Sequence, residues 1–194
     1  MLPLAGSGTL IKTKNEGLAG SMRGELVKLR AIEPSDAEAL WRWVRDPEVV
    51  RWMDEGYIQS LAGFRKRLED FPRNGFSDLM FGVEALSDGM LIGAVRLRGA
   101  EPETGCAELD IYLGEKEYWG RGYGTDTMRT ICRYGFEKMR LHKISLDVVT
   151  ENQSAHHIYG KVGFVDEGRL RQVFRRDGQW YDMYRMGLLE GELR

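Results

Sequence analysis

Cysteine is scarce in this chain, with Cys106 and Cys132 the only two among 194 residues. That is too few for a disulfide framework or a four-ligand zinc site and suits a reducing compartment, so a cytoplasmic location is expected. Histidine is equally thin: His142, His156 and His157 are not arranged with acidic or cysteine partners as a metal site requires, and no metal is implied. An excess of one charge is missing too. The 28 basic residues face 30 acidic ones for a net charge of -2, which leaves no general attraction to nucleic acid. No apolar run approaches the roughly 18 residues of a membrane span, and no basic segment followed by a hydrophobic one opens the chain. Neither membrane nor nucleic acid is an expected partner. Internal repeats and low-complexity tracts are absent as well.

What is present, at 42% hydrophobic and 30% charged, suffices to bury the core of one compact domain. Residues 1–21 carry little periodicity and several glycines, and they read as an N-terminal extension or an appended segment; the domain is expected over 22–194. "ELVKLRAI" (25–32) alternates like a strand, and "EPSDAEALWRWVRD" follows as a helix with Pro34 near its start. Two further helical patterns lie around "PEVVRWMDE" and "SLAGFRKRLEDF". Three apolar runs, 78–86, 90–99 and 106–114, are separated by short turn-rich links and predict an antiparallel meander. After a glycine-rich loop come a helix from near Thr125, a strand over 143–150, and a short helix between Asn152, a good N-cap, and Gly163, a good stop. The last element is a hairpin turning at Asp177-Gly178. This order predicts a mixed α/β (α+β) fold, a mixed sheet flanked by helices, and not a uniform β-α alternation.

The loop "YWGRGYGTDTM" (118–128) places Gly120, Gly122 and Gly124 at the mouth of a helix. A helix N-terminus offers four backbone N–H groups without internal partners and roughly half a positive charge, and glycines let a phosphate approach them closely. Arg121 adds charge-assisted hydrogen bonds. The plain alternative is a turn that only connects strand to helix. A nicotinamide cradle is disfavoured, because the alternating glycines miss the G-x-G-x-x-G spacing and the meander is no βαβ unit.

The loop, the later run "LDVVTENQSAHHIYGKVGF" and the Asp-Gly hairpin together resemble the GNAT superfamily of acetyl-coenzyme A dependent N-acetyltransferases, and within it the group related to RimJ and RimL, the ribosomal-protein N-terminal acetyltransferases. The similarity spans about residues 25–190. It implies the GNAT fold, with a central, mostly antiparallel sheet, and acetyl-CoA as co-substrate. It also assigns the coenzyme pyrophosphate to Arg121, Gly122, Tyr123, Gly124, Thr125 and Asp126. Ile111, Tyr112 and Leu113 correspond to the segment that holds the thioester where strands splay. The resemblance gives Asn152 the pantetheine arm or nearby backbone, Tyr159 the coenzyme thiol, and Lys161 a place among the coenzyme contacts. The widespread family loop has Gln or Arg where this chain has Trp119, which is common in the RimJ/RimL-like group.

Amine acetylation needs a neutral nucleophile, a polarised thioester and a proton for the departing thiolate. Tyr159, with an ordinary phenol pKa of about 10, stays protonated near neutrality and is the expected general acid. A peptide α-amine loses its proton at pH 7.5 for roughly 0.4 kcal/mol, whereas a lysine-like amine costs roughly 4 kcal/mol and calls for a base. Glu108 shares a strand face with Asp110 and Tyr112 and is the candidate base; a solvated strand carboxylate is the alternative. In the family, the helical region holding Trp41, Trp43, Trp52 and Tyr57 walls the acceptor cleft, though aromatics there also serve as plain core, and Asp54 and Glu55 either attract a cationic acceptor or are ordinary surface charges. The expected acceptor is a primary amine, from a protein N-terminus or a small molecule. A non-catalytic acyl-CoA-binding module is the competing function, and a homodimer paired through the closing hairpin is one possible assembly.

Overall fold

The computed structural model describes residues 22–53, 59–70 and 74–194. Seven strands, β1 (Val27–Ala31), β2 (Asp78–Ala85), β3 (Leu91–Glu101), β4 (Cys106–Leu113), β5 (Lys143–Val149), β6 (Val165–Arg176) and β7 (Gln179–Leu189), form one sheet in the order β1-β2-β3-β4-β5-β7-β6. Four α-helices flank it: α1 (Ala37–Trp43), α2 (Leu61–Glu69), α3 (Tyr123–Glu137) and α4 (Gln153–Val162). Every neighbouring pair is antiparallel except β4 and β5. The mixed sheet expected from the pattern, and the mostly antiparallel pairing that the resemblance implies, are the ones observed.

Alternation in the strands sets the two faces of the sheet. On β4, Ala107 and Leu109 are buried with Ile111 and Leu113 packed against the same cluster, and Glu108, Asp110 and Tyr112 point the other way. The first face meets α3 and α4 across a core containing Val95, Leu97, Met128, Ile131, Ile144 and Leu188. The second is covered over part of its extent by α1 and α2, where Leu40, Trp43 and Phe64 pack on Leu91 and Ala94, with Tyr112 at the margin. Both layers are needed, because a sheet carrying apolar side chains on two faces must cover each of them.

Local signals hold at several ends. Pro34 opens a short 3-10 turn, residues 34–36, ahead of α1. Ser60 accepts the Gly63 N–H and caps α2. Asp177 and Gly178 both have positive φ, 50° and 78°, as the tight hairpin turn demands. Two expectations are corrected. The pattern around 47–53 forms turns and no helix: Pro47 opens it, two β-branched valines follow, and the carbonyls of Val50 and Met53 accept hydrogen bonds from the Arg176 guanidinium of the distant hairpin. Helix α3 starts at Tyr123, two residues earlier than expected, since left-handed Gly122 (φ 89°) is its N-cap.

Candidate active site

Strands β4 and β5 run side by side for only three residues, Cys106, Ala107 and Glu108 against Lys143, Ile144 and Ser145. Beyond that point β4 keeps β3 as far as Leu113, and β5 keeps β7 as far as Val149, so the two strands part and leave facing edges without a partner strand. Ile111, Tyr112 and Leu113 lie on the β4 arm of this wedge. Main-chain groups there are open to a ligand, because unpaired strand edges retain their donors and acceptors.

The glycine loop sits just beyond the end of β4. The first intrahelical bond of α3 runs from the Asp126 N–H to the Gly122 carbonyl at 3.0 Å, so the N–H groups of Gly122, Tyr123, Gly124 and Thr125 precede it and have no partner among the described residues. These open amides and the helix dipole make an anion cradle at the mouth of the wedge. Arg121 is exposed beside them, donating to the Glu117 carbonyl at 3.2 Å. The loop is held from below: the Trp119 indole N–H donates to the Leu113 carbonyl at 2.9 Å, and the Tyr118 hydroxyl donates to Asp88 at 2.6 Å. The residue that departs from the widespread family pattern, Trp119, is thus what ties the loop to β4.

Asp126 departs from its expected role. Its carboxylate is buried and accepts the N–H groups of Glu25 at 3.1 Å, and of Leu26 and Val27 at 2.7 and 3.0 Å. A carboxylate saturated by three amides, with its own N–H spent inside the helix, has nothing left for a phosphate. Asp126 fastens the entry of β1 to the first turn of α3.

On the other arm of the wedge, Asn152 caps α4, its side-chain oxygen accepting the Ala155 N–H at 3.3 Å, and Gly163 closes the helix with φ 119°. The side-chain amide of Asn152 keeps its donors. Ala155 and Tyr159, four apart, pack together against the main core, with Tyr159 6.3 Å from Phe164 ring to ring. The Tyr159 hydroxyl has no hydrogen-bond partner among the described residues. Burial, reinforced by the negative charge of Asp110, pushes its pKa up to about 12. His156 is taken up by Asp166 at 2.8 Å and by the Tyr184 ring at 5.1 Å, and Lys161 is exposed.

Glu108 stands at the last paired position before the strands part. Arg98 contacts it at 2.7 Å and Arg185 at 3.8 Å. It belongs to a ladder across five strands: Arg96 meets Asp78, Arg98 also meets Asp110 at 2.7 Å, and Arg185 also meets Asp147 at 2.5 Å. Within this ladder four carboxylates stand against three guanidinium groups, an excess of one negative charge. Period-two alternation marks Glu108 and Asp110, but nothing in the sequence announces Arg98, Arg185 or Asp147 as their neighbours.

Of the aromatics, Trp43 is buried core, edge-on to Tyr112 at 6.1 Å. Trp41 donates its indole N–H to the Gln59 carbonyl at 2.8 Å. Trp52 packs on Tyr181 and Phe174 of the hairpin at 5.5 and 6.4 Å. Asp54, Glu55 and Tyr57 lie outside the described residues. No group of three or more His, Cys, Asp or Glu among the described residues is arranged to hold a metal, and no helix there is long and apolar enough to cross a membrane.

Comparison with known proteins agrees with this geometry. Residues 27–165 match the family model described as Acetyltransferase (GNAT) domain. The spermidine N(1)-acetyltransferase of Escherichia coli (strain K12) is 32% identical over 168 residues, covering 84% of this chain and 86% of that protein. The Bacillus licheniformis protein called N-acetyltransferase p20 is 27% identical, covering 87% and 95%. The crystal structure of spermidine N-acetyltransferase from Vibrio cholerae in complex with CoA and spermine superposes with a TM-score of 0.74 at 28% identity, covering 86% of this chain and 97% of that one. An amide cradle at the mouth of a parted β4–β5 pair, a seven-stranded sheet of this order and a family match over most of the domain lead to one assignment: the chain belongs to the GNAT acetyltransferase family and is an N-acetyltransferase.

Proposed function

We propose that this enzyme transfers the acetyl group of acetyl-CoA to a primary amine by direct attack, with Tyr159 protonating the departing sulfur. Acetyl-CoA is the co-substrate. The observation that carries the reading is the set of open amides at Gly122–Thr125 just beyond the parted ends of β4 and β5; in this reading a diphosphate gripped there sends its thioester arm between the two strands toward the phenol of Tyr159. The amine nitrogen attacks the thioester carbonyl carbon, and the oxyanion that forms is stabilised by main-chain N–H groups on the β4 arm around Ile111–Leu113. The C–S bond then breaks, sulfur takes the Tyr159 proton, and the phenolate regains one from solvent. A phenol near 12 is a weaker acid than a free thiol near 8.5, but the surroundings that raise the phenol raise the thiol too, which narrows the gap.

The proton leaving the amine goes to Glu108, directly or through water; held between Arg98 and Arg185, this carboxylate faces the open side of the wedge. The excess negative charge of the ladder favours a small polycationic amine of the polyamine kind, the class named for the Escherichia coli and Vibrio cholerae relatives. An α-amine of a protein N-terminus, the acceptor that resemblance to the RimJ/RimL group implies, is the second reading. Release of free thiol from acetyl-CoA with spermidine and with a panel of N-terminal peptides distinguishes them, and turnover with neither group of amines overturns the acceptor assignment. Thermal unfolding with and without acetyl-CoA tests the coenzyme reading itself, while thiol release tests turnover. Ligand at a hundredfold over its dissociation constant contributes about 2.7 kcal/mol and raises the midpoint by roughly 5–10 °C.

A further inference from the structure

Glu115 follows the end of β4 and leads, through a 3-10 turn at Lys116–Tyr118, into the coenzyme loop. Its carboxylate, about three-quarters buried, accepts the Trp43 indole N–H at 3.0 Å and a short contact from the Arg42 guanidinium. Its neighbours do the same work. Gly114 lies so close under Trp43 that a Cβ there would sit 2.0 Å from the ring, and Lys116 reaches Asp46 at 2.8 Å and Glu48 at 2.9 Å. Three consecutive residues between β4 and the loop therefore bolt the loop's lead-in to the end of α1 and to the turns that follow. From the other side the same turns are gripped by the hairpin, through Arg176 on the Val50 and Met53 carbonyls and through Trp52 on Phe174 and Tyr181. Trp43 in turn stands against Tyr112 on the β4 arm of the wedge.

Segment 42–53 thus bridges the end of β4 and the β6–β7 hairpin, which in the reading above makes it the wall on the acceptor side of the wedge. Its turns are closed by short-range bonds of their own, such as Val50 N–H to the Asp46 carbonyl and Met53 N–H to the Val50 carbonyl at 3.0 Å each, and have no regular helix or strand, so what they are fastened to adds to their order. The loop is fastened in the same way. It crosses two left-handed glycines, Gly120 and Gly122, before the amides that receive the coenzyme, and a phosphate seated there removes motion from everything rigidly linked to it.

We infer that Glu115 is a positioning residue: by holding Arg42 and Trp43 to the coenzyme loop, it makes ordering of the acceptor-side wall at 42–53 depend on occupancy of the coenzyme cradle. This rests on the coenzyme reading above, so the test must separate the two.

Amide hydrogen exchange of the full chain, with and without saturating coenzyme A, does so. In the unaltered protein, coenzyme A is expected to slow exchange at 120–127 and also at 42–53, the latter by about fivefold or more, the lower end of an ordinary coupling between sites. In Glu115→Gln, which keeps the shape but gives up the charge that holds Arg42, slowing at 120–127 persists and that at 42–53 falls below about twofold. Arg42→Met, a change at an exposed side chain, is expected to weaken the effect in the same direction and serves if Glu115→Gln fails to fold. Slowing at 120–127 with none at 42–53 in the unaltered protein overturns the inference alone, as does equal slowing of 42–53 in both variants. No slowing at 120–127 brings down the coenzyme reading and the inference with it.

Discussion

Replacing Asp126 with alanine separates a structural lock from a coenzyme ligand. Three backbone N–H groups lose their acceptor at once. Those of Glu25 and Leu26 lie in exposed residues, where water takes over as acceptor and the net loss is that of an ordinary exposed hydrogen bond, about 0.5–1.5 kcal/mol each. Val27 is fully buried, and its orphaned amide bears the full desolvation penalty of about 1–3 kcal/mol. The loss comes to about 2–6 kcal/mol, which for a domain of this size, at about 2–4 °C per kcal/mol, lowers the midpoint by roughly 5–20 °C. Differential scanning fluorimetry reads that shift directly. Titration of coenzyme A into the folded variant at low temperature then asks whether the cradle survives. Since the Asp126 carboxylate faces β1, affinity should fall only modestly. A midpoint within about 2 °C of the unaltered protein, together with lost coenzyme binding, would refute the reasoning and restore Asp126 to the coenzyme site.

Other expectations are quicker to state. Tyr159→Phe should lower kcat by about 10²–10⁴ while the KM for acetyl-CoA changes little, and a kcat within a factor of three of the unaltered enzyme removes the general acid. Because Tyr159 holds its proton up to about 12, the rate with a lysine-like amine should climb with pH through 10 without an acid-group decline, as pH-rate profiles will show. Glu108→Gln should steepen that climb below pH 9 for such an amine, and an unchanged profile dismisses Glu108 as base. Trp119→Phe removes one bond to the Leu113 carbonyl and should raise the KM for acetyl-CoA about 2–10-fold with kcat nearly constant. Burial works to raise the Asp36 carboxyl, but hydrogen bonds from Arg30 and the Glu33 amide outweigh it and hold it below the ordinary carboxylate range. A depressed folded-state pKa contributes stability above the unfolded value, about 3.9, that is lost as the pH falls through the folded one. Arg30→Met should therefore destabilise clearly at pH 7 and much less near pH 2; equal losses at both, by denaturant melts, contradict the pairing.

Much of the fold was legible because its signals are local. Apolar runs bounded by turn residues marked β2, β3 and β4, and the short links between them left only antiparallel pairing. Asp177-Gly178, Asn152 and Gly163 punctuated the chain where their backbone chemistry requires. The turns at 47–53 were misread as helix, since an apolar pattern of that length is short enough to be overridden by Arg176, 123 residues on. Asp126 was misread for the same kind of reason. A carboxylate in the first turn of a helix looks identical on paper whether it meets a ligand or the N–H groups of residues 25–27, about a hundred positions earlier. The ladder linking Glu108 to Arg98, Arg185 and Asp147, and the grip of Glu115 on Trp43, have no sequence spacing at all.

By itself, then, the order of residues determined the elements, the glycine-lined helix mouth and the helix that carries Tyr159, because propensity, capping and turn chemistry act between near neighbours. Only the tertiary structure decided that β4 and β5 part after three paired residues, that the Tyr159 hydroxyl is buried without a partner among the described residues, and which carboxylates are spent holding the molecule together. Those outcomes depend on strand order and long-range packing, where a contact's energy has no relation to the distance along the chain.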